Sequence, residues 1–227
     1  MDKKSFTDML FFLFIFCLVI LPPLFVRNAS PEIFTAWSFP FQQLLYAYAA
    51  GMILRFFYMK NGQKKERSSA VKRITFFINS GYTLVTFGSL CVIAAGTELL
   101  FHLSGLQPSV TSVRPSSAVQ YLFCVLDFAF ASFFEEVLYR LYLPDMLRKY
   151  AAYIPRLTPR AAAIISESLS VALFAFAHRY LGAASVINAA LACVALRICC
   201  RKSGSVWTNT AAHFAYNILS LILFTAV

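Results

Sequence analysis

The chain has 227 residues, 59% of them hydrophobic and 13% charged, with a net charge of +10. A soluble domain carries roughly a quarter charged residues, so this composition excludes an ordinary water-soluble domain; without short alternating strands a membrane barrel is excluded as well. The positive balance points to topology rather than to nucleic acid, because Lys and Arg gather in the cytoplasmic loops of membrane proteins.

Residues 1–8 are polar and carry Lys3 and Lys4; the first apolar run, 9–26, is kinked or ended by Pro22 and Pro23. No small-x-small cleavage site follows, so the run reads as a retained span rather than a secretory signal. A second run covers 34–59, with Trp37, Tyr46, Tyr48 and Tyr58 as interfacial anchors. Next comes a basic cluster, Lys60, Lys64, Lys65 and Arg67 followed by Lys72 and Arg73. The third run, 74–103, carries Asn79, Thr83 and Thr86 close to one helical stripe, suited to polar neighbours. Glu98 and His102, four apart near its end, read as an interfacial ion pair.

A loop at 106–117, with Pro108 and Pro115, leads to the fourth run, which starts near Ala118 and ends at or before Pro144. Arg148, Lys149, Arg156 and Arg160 follow, then runs at 161–178, 182–200 and 205–227, the last two separated by a turn at 201–204. The expected fold is all-α, a polytopic transmembrane helical bundle of about seven spans, forming one membrane domain over 1–227. The amino terminus and the even-numbered loops hold most of the Lys and Arg, while the odd-numbered loops hold Arg27, Arg114 and Arg179. The positive-inside rule therefore puts the amino terminus in the cytoplasm. The six cysteines lack metal-ligand spacing and read as buried free thiols.

Within the fourth run stand Glu135, Glu136 and Arg140, groups that are costly at membrane depth and face a protein interior or a wet cavity. Arg140 is four residues after Glu136, so the two stack on one helix face. Glu135 lies 100° further round the helix and is left without that partner. His213 and Asn217 are likewise four apart, and Asn209 and Ser220 extend their stripe. Counted from Pro144, Glu135 lies ~13 Å deep; counted from Ser205, His213 lies ~12 Å deep. His178 joins that level, at ~15 Å, only if the interface falls near residues 166–168. The fifth helix is then short or re-entrant, ending around 179–182 where the backbone is buried in protein or lines a cavity. Asp127 fits either a supporting place near Glu135 or a bond to the third run.

Three patterns, Glu-Glu-x-x-x-Arg at 135–140, Phe-x-x-x-His at 174–178 and His-x-x-x-Asn at 213–217, fall in this order on successive apolar runs. With the lead-in Lys202-Ser203-Gly204-Ser205-Val206-Trp207, they resemble the CAAX prenyl protease and bacteriocin-processing family, also called CPBP or Abi. The resemblance spans roughly 121–220, so 118–227 is the expected catalytic core and 1–117 holds three spans without a recognised motif. It implies an intramembrane endopeptidase in which Glu135 is the general base and His178 polarises the attacking water. It further implies that His213 and Asn217 stabilise the oxyanion, with Arg140 holding Glu136.

The family has been labelled both metalloprotease and glutamate protease. If zinc were used, Glu135, Glu136, His178 and His213 would be its ligands; without a His-Glu-x-x-His spacing, and with Arg140 nearby, a metal-free site is the favoured expectation. The expected partners are a peptide or membrane-protein substrate and the lipid bilayer, with no nucleic acid. The expected location is multi-pass in a bacterial plasma membrane. The alternative within the same family is a non-catalytic bacteriocin immunity or membrane scaffold protein.

Overall fold

The computed structural model describes residues 3–25, 32–33, 38–58, 69–105, 111–112 and 115–225; the basic cluster at 60–67, Arg27, Arg114 and the Trp37 anchor lie outside them. The described residues are almost entirely helical. Helix α1 is Lys3–Ile15, α2 Pro22–Phe25, α3 Phe41–Ile53, α4 Ser69–Leu103 and α5 Ala118–Glu135. They are followed by α6 Leu143–Ala151, α7 Pro159–Ala177, α8 Ala183–Ser203 and α9 Val206–Thr225. A two-residue parallel bridge pairs β1, Glu32–Ile33, with β2, Thr111–Ser112. Among the described residues, four stretches are long and apolar enough to cross a membrane: Phe6–Phe25, Phe77–Leu103, Pro159–Ala177 and Ala183–Ser203. Large apolar side chains such as Val92, Leu84 and Phe41 stand on the outside, as expected of surfaces solvated by lipid rather than by water.

Local chemistry sets the helix ends. Ser117 accepts a bond from the Gln120 amide at the start of α5, and Thr158 accepts one from Ala161 at the start of α7, with Pro159 at the first position. Both are N-caps that satisfy an amide left open by the first turn. Helix α8 stops at Gly204, whose φ of 63° a residue without Cβ adopts freely. Inside the helices, Ser166 and Ser170 return their hydroxyls to the carbonyls four residues back, which satisfies them without water.

Two expectations about helix ends need correction. Pro144 does not end the helix of the fourth run: α5 passes through a π-helical stretch, Glu136–Tyr142, directly into α6, with Pro144 inside it. A proline clashes with the carbonyl four residues earlier, and widened turns are one of the ways a helix accommodates such a conflict. The same device, a π-helical Phe16–Ile20, precedes Pro22 and Pro23 in the first span. The fifth apolar helix is not short, because the Thr158 cap starts it early: α7 has 19 residues, ~28 Å at the helical rise. Its expected break is found, with a 3-10 turn at Arg179–Leu181 and Gly182 at φ 94° before α8. Glu98 and His102 are both exposed, and no ion pair joins them among the described residues.

The core lies around the π-helical stretch. Val137, Leu138, Tyr142 and Leu143 are fully buried, in one cluster with Phe12, Ile53, Phe174 and Cys193. Helix α5 packs on α3 and α9, α4 on α8 and α9, and α7 on α6 and α8. The polar stripe of α4 meets a partner as expected, since Thr83 donates to the Thr208 carbonyl on α9 at 3.3 Å. Helix α6 is fastened by the amino-terminal helices: Lys149 pairs with Asp8 at 2.8 Å, and Tyr58 donates to Asp145 at 2.8 Å. The Tyr142 ring meets Phe57 edge-on at 5.3 Å and also touches Phe11 and Phe12. Tyr142→Ala should lower stability in detergent-micelle unfolding by about 3 kcal/mol, as for other large-to-small changes in packed sites. Tyr48→Ala, where the ring is 68% exposed, should stay within about 0.5 kcal/mol.

Candidate active site

Helix α5 delivers Glu135 at its last position and Glu136 at the first position of the widened turn. Glu136 and Arg140 form the expected pair, Nε to Oε2 at 3.3 Å, with both side chains fully buried. Burying two ions costs several kcal/mol each, recovered only by close pairing and further hydrogen bonds. Those bonds are present. Asn209 donates Nδ2 to Glu136 Oε2 at 2.9 Å, and His213 Nδ1 lies 2.9 Å from Oε1. Arg140 donates Nη1 to Cys193 Sγ at 3.0 Å, and its guanidinium carbon lies 4.2 Å above the Phe174 ring centre, a favourable cation–π position.

The arrangement fixes the orientation of His213. A carboxylate only accepts, so His213 Nδ1 carries the proton that faces Glu136. The opposite nitrogen, Nε2, then lies 3.9 Å from Glu135 Oε2. Glu135 keeps 23% of its side-chain surface exposed and makes no hydrogen bond among the described residues. The two acids of one sequence motif therefore differ in their surroundings. Glu136 is saturated with donors, whereas Glu135 stands open beside a histidine that Glu136 holds.

The other expected residues gather less tightly. His178 caps α7 and directs Nδ1 at the Phe174 carbonyl, 2.9 Å away; because a carbonyl only accepts, that nitrogen is protonated and Nε2 is a free acceptor. Its ring packs on Phe174 at 4.7 Å, and Phe174 meets Tyr139 and Arg140. His178 thus joins the acidic group through one aromatic residue rather than by a bond to Glu135 or His213. Asn217 donates to Ser132 Oγ at 3.3 Å, and Ser132 is buried one turn before Glu136. Asp127 lies within electrostatic range of Glu135, which favours the supporting place for it.

The conditional zinc ligands Glu135, Glu136, His178 and His213 are not all drawn to one point, since His178 reaches the group only through Phe174. Among the described residues no three His, Cys, Asp or Glu side chains stand where they could hold a metal ion. Both Glu136 oxygens are taken by Arg140, Asn209 and His213, and a fixed guanidinium beside a carboxylate opposes a second cation.

Two contributions were missed in the sequence. Asn209, which in the sequence only extends a polar stripe, sits four residues before His213 and bonds the same carboxylate. Arg197, a lone cation inside the apolar run 182–200, bonds the Arg140 carbonyl; an intramembrane cation was the available signal. Trp207 of the lead-in motif stacks on Phe133 at 5.0 Å, joining the start of α9 to the turn before Glu135. Arg140→Gln, which leaves Glu136 buried beside fewer positive groups, should lower stability by about 3 kcal/mol or more in micelle unfolding. The double replacement Glu136→Gln, Arg140→Met should cost less than that single change.

No curated protein and no solved structure matches the chain. A family model described as type II CAAX prenyl endopeptidase Rce1-like matches residues 117–219, from the cap of α5 into α9. That stretch contains Glu135, Glu136, Arg140, His178, Asn209, His213 and Asn217. The match agrees with the kinship read from the three short motifs: over residues 117–219, a little under half of the chain, this membrane protein is similar to the Rce1-like family of type II CAAX prenyl endopeptidases.

Proposed function

We propose that the protein is an intramembrane endopeptidase that hydrolyses a peptide bond with water activated by Glu135. The observation that supports this best is the contrast between the two acids: Glu136 orients His213, and His213 presents its other nitrogen to an uncommitted Glu135. In the proposed reaction Glu135 takes a proton from water as the oxygen attacks the scissile carbonyl carbon. His178, with Nε2 as an acceptor, helps to orient that water. The tetrahedral oxyanion is met by His213, which donates from Nε2 when both its nitrogens are protonated, and by Asn217. Glu135 then returns its proton to the leaving nitrogen as the carbon–nitrogen bond breaks. Directed donors in a dry site contribute most where charge develops, and a positioned carboxylate contributes by proton transfer.

The reading includes substrate and setting. The family description favours a prenylated carboxyl-terminal peptide or another membrane-associated peptide, cleaved near the membrane face that holds α6. The proposed topology has seven crossings with the amino terminus in the cytoplasm. It is supported by Asp8 pairing with Lys149 and Tyr58 with Asp145, since the start of α1, the end of the second helical segment and α6 then share one side. No resident metal is proposed, on the ground of the committed Glu136 oxygens and the adjacent guanidinium.

Purified protein supplied with farnesylated CAAX-type peptides tests the reading. Glu135→Gln should lower cleavage at least ~100-fold, the scale of general-base loss, with unfolding behaviour unchanged; undiminished cleavage in that variant would remove Glu135 from the mechanism. Dialysis against a chelator should leave the wild-type rate intact. A loss restored by added zinc would overturn the metal-free reading.

A further inference from the structure

Pro144 takes a hydrogen bond away from the most crowded part of the site. In an α-helix the Arg140 carbonyl accepts from the amide four residues on, and a proline at that position has no N–H to give. Yet the chain remains helical from Ala118 to Ala151, and Arg140 is fully buried, where an unmet carbonyl is costly. A donor reaches this oxygen from a different helix: Nη1 of Arg197, on α8, bonds it. The remaining edge of the same guanidinium is locked to α7. Its Nε lies 2.8 Å from Glu167 Oε2, and its Nη2 lies 2.6 Å from Oε1. Such a two-point fork fixes the plane of the guanidinium, which a lysine ammonium cannot reproduce.

We propose that Arg197, aimed by Glu167, is a positioning residue that supplies the hydrogen bond Pro144 removes and so holds the Glu136–Arg140 turn against His213. Arg140 is thereby held at both ends, its side chain by Glu136 and its carbonyl by Arg197. Three helices meet at this point, α7 through Glu167, α8 through Arg197 and the widened turn through Arg140. A shift of the turn would carry the Glu136 carboxylate away from His213 Nδ1 and change where Nε2 points. The effect on cleavage rests on the peptidase reading above; the hold on the backbone does not.

The test is a double-mutant cycle on the full chain in detergent micelles. Arg197→Gln is made in the native background and in Pro144→Ala, where residue 144 regains an N–H for the Arg140 carbonyl. Amide hydrogen exchange across 136–145 and the thermal midpoint are read for all four proteins. With Pro144 present, Arg197→Gln should speed exchange in that segment about tenfold, the scale expected for loss of a buried hydrogen bond. In the Pro144→Ala background, the same change should have little effect. Equal effects in both backgrounds would overturn the proposal. If Arg197→Gln does not fold, Arg197→Lys, which keeps a donor but loses the fork, carries the same cycle with a smaller expected coupling. In the cleavage assay Arg197→Gln should lower kcat about tenfold with KM unchanged; an unchanged kcat despite faster exchange would overturn the link to the site. A wild-type protein that cleaves no peptide would count against the peptidase reading alone, because the exchange cycle still decides what Arg197 does.

Discussion

One buried carboxylate, that of Glu136, governs the arrangement of this protein's polar interior. It holds Arg140 on its own segment and Asn209 and His213 on α9; Arg140 and Asn209 are fully buried with it, and His213 partly so. A charge so placed is tolerable only with a full set of partners, and the requirement acts on several helices at once. Helix α9 must present Asn209 and His213 one turn apart, and Phe174 on α7 must offer its ring to Arg140. Once these demands are met, Glu135 needs no structural role, and its openness follows from the saturation of its neighbour.

The widened turn is the geometric counterpart of that charge. Val137, Leu138 and Tyr139 are buried with Glu136 and Arg140, so an entire turn is enclosed rather than one face of it. An ordinary surface helix has a face left for solvent or lipid; from Glu136 to Arg140 this segment has none. The Phe133–Trp207 and Tyr46–Phe134 stacks close the approach from the preceding turn. The ring of Phe174 serves both Arg140 and His178, so one aromatic residue links the charged interior to the break between α7 and α8.

Much of this was legible in the sequence because it depended on helical spacing. The Glu136–Arg140 pair follows from a separation of four, and the shared level of Glu135 and His213 follows from counting residues inward from Pro144 and Ser205. The passage of the helix through Pro144 was not legible, because a proline signals a stop locally while the donor that answers it lies on a different helix, fifty-seven residues beyond Arg140 in sequence. His178 was placed correctly at a helix end, but its contact with the site runs through Phe174, and spacing alone does not reveal a ring placed between two polar groups. The ion pair expected for Glu98 and His102 did not form, since two exposed side chains gain little by holding one geometry.

The aromatic packing around Tyr142 has a consequence for how the first part of the chain can diverge. The match to the family model begins at residue 117, yet Phe12, Ile15, Ile20, Ala50, Ile53 and Leu54 share one buried cluster with Val137, Leu138 and Tyr142. The boundary of that match and the boundary of the interior therefore do not coincide. The first helices act as a fitted sleeve whose outer surface is free to drift with the surrounding lipid. Their inner surface is bound to the contour of the chemistry it encloses, so that a new ring or a lost one at Phe12 or Phe57 has to be answered at Tyr142.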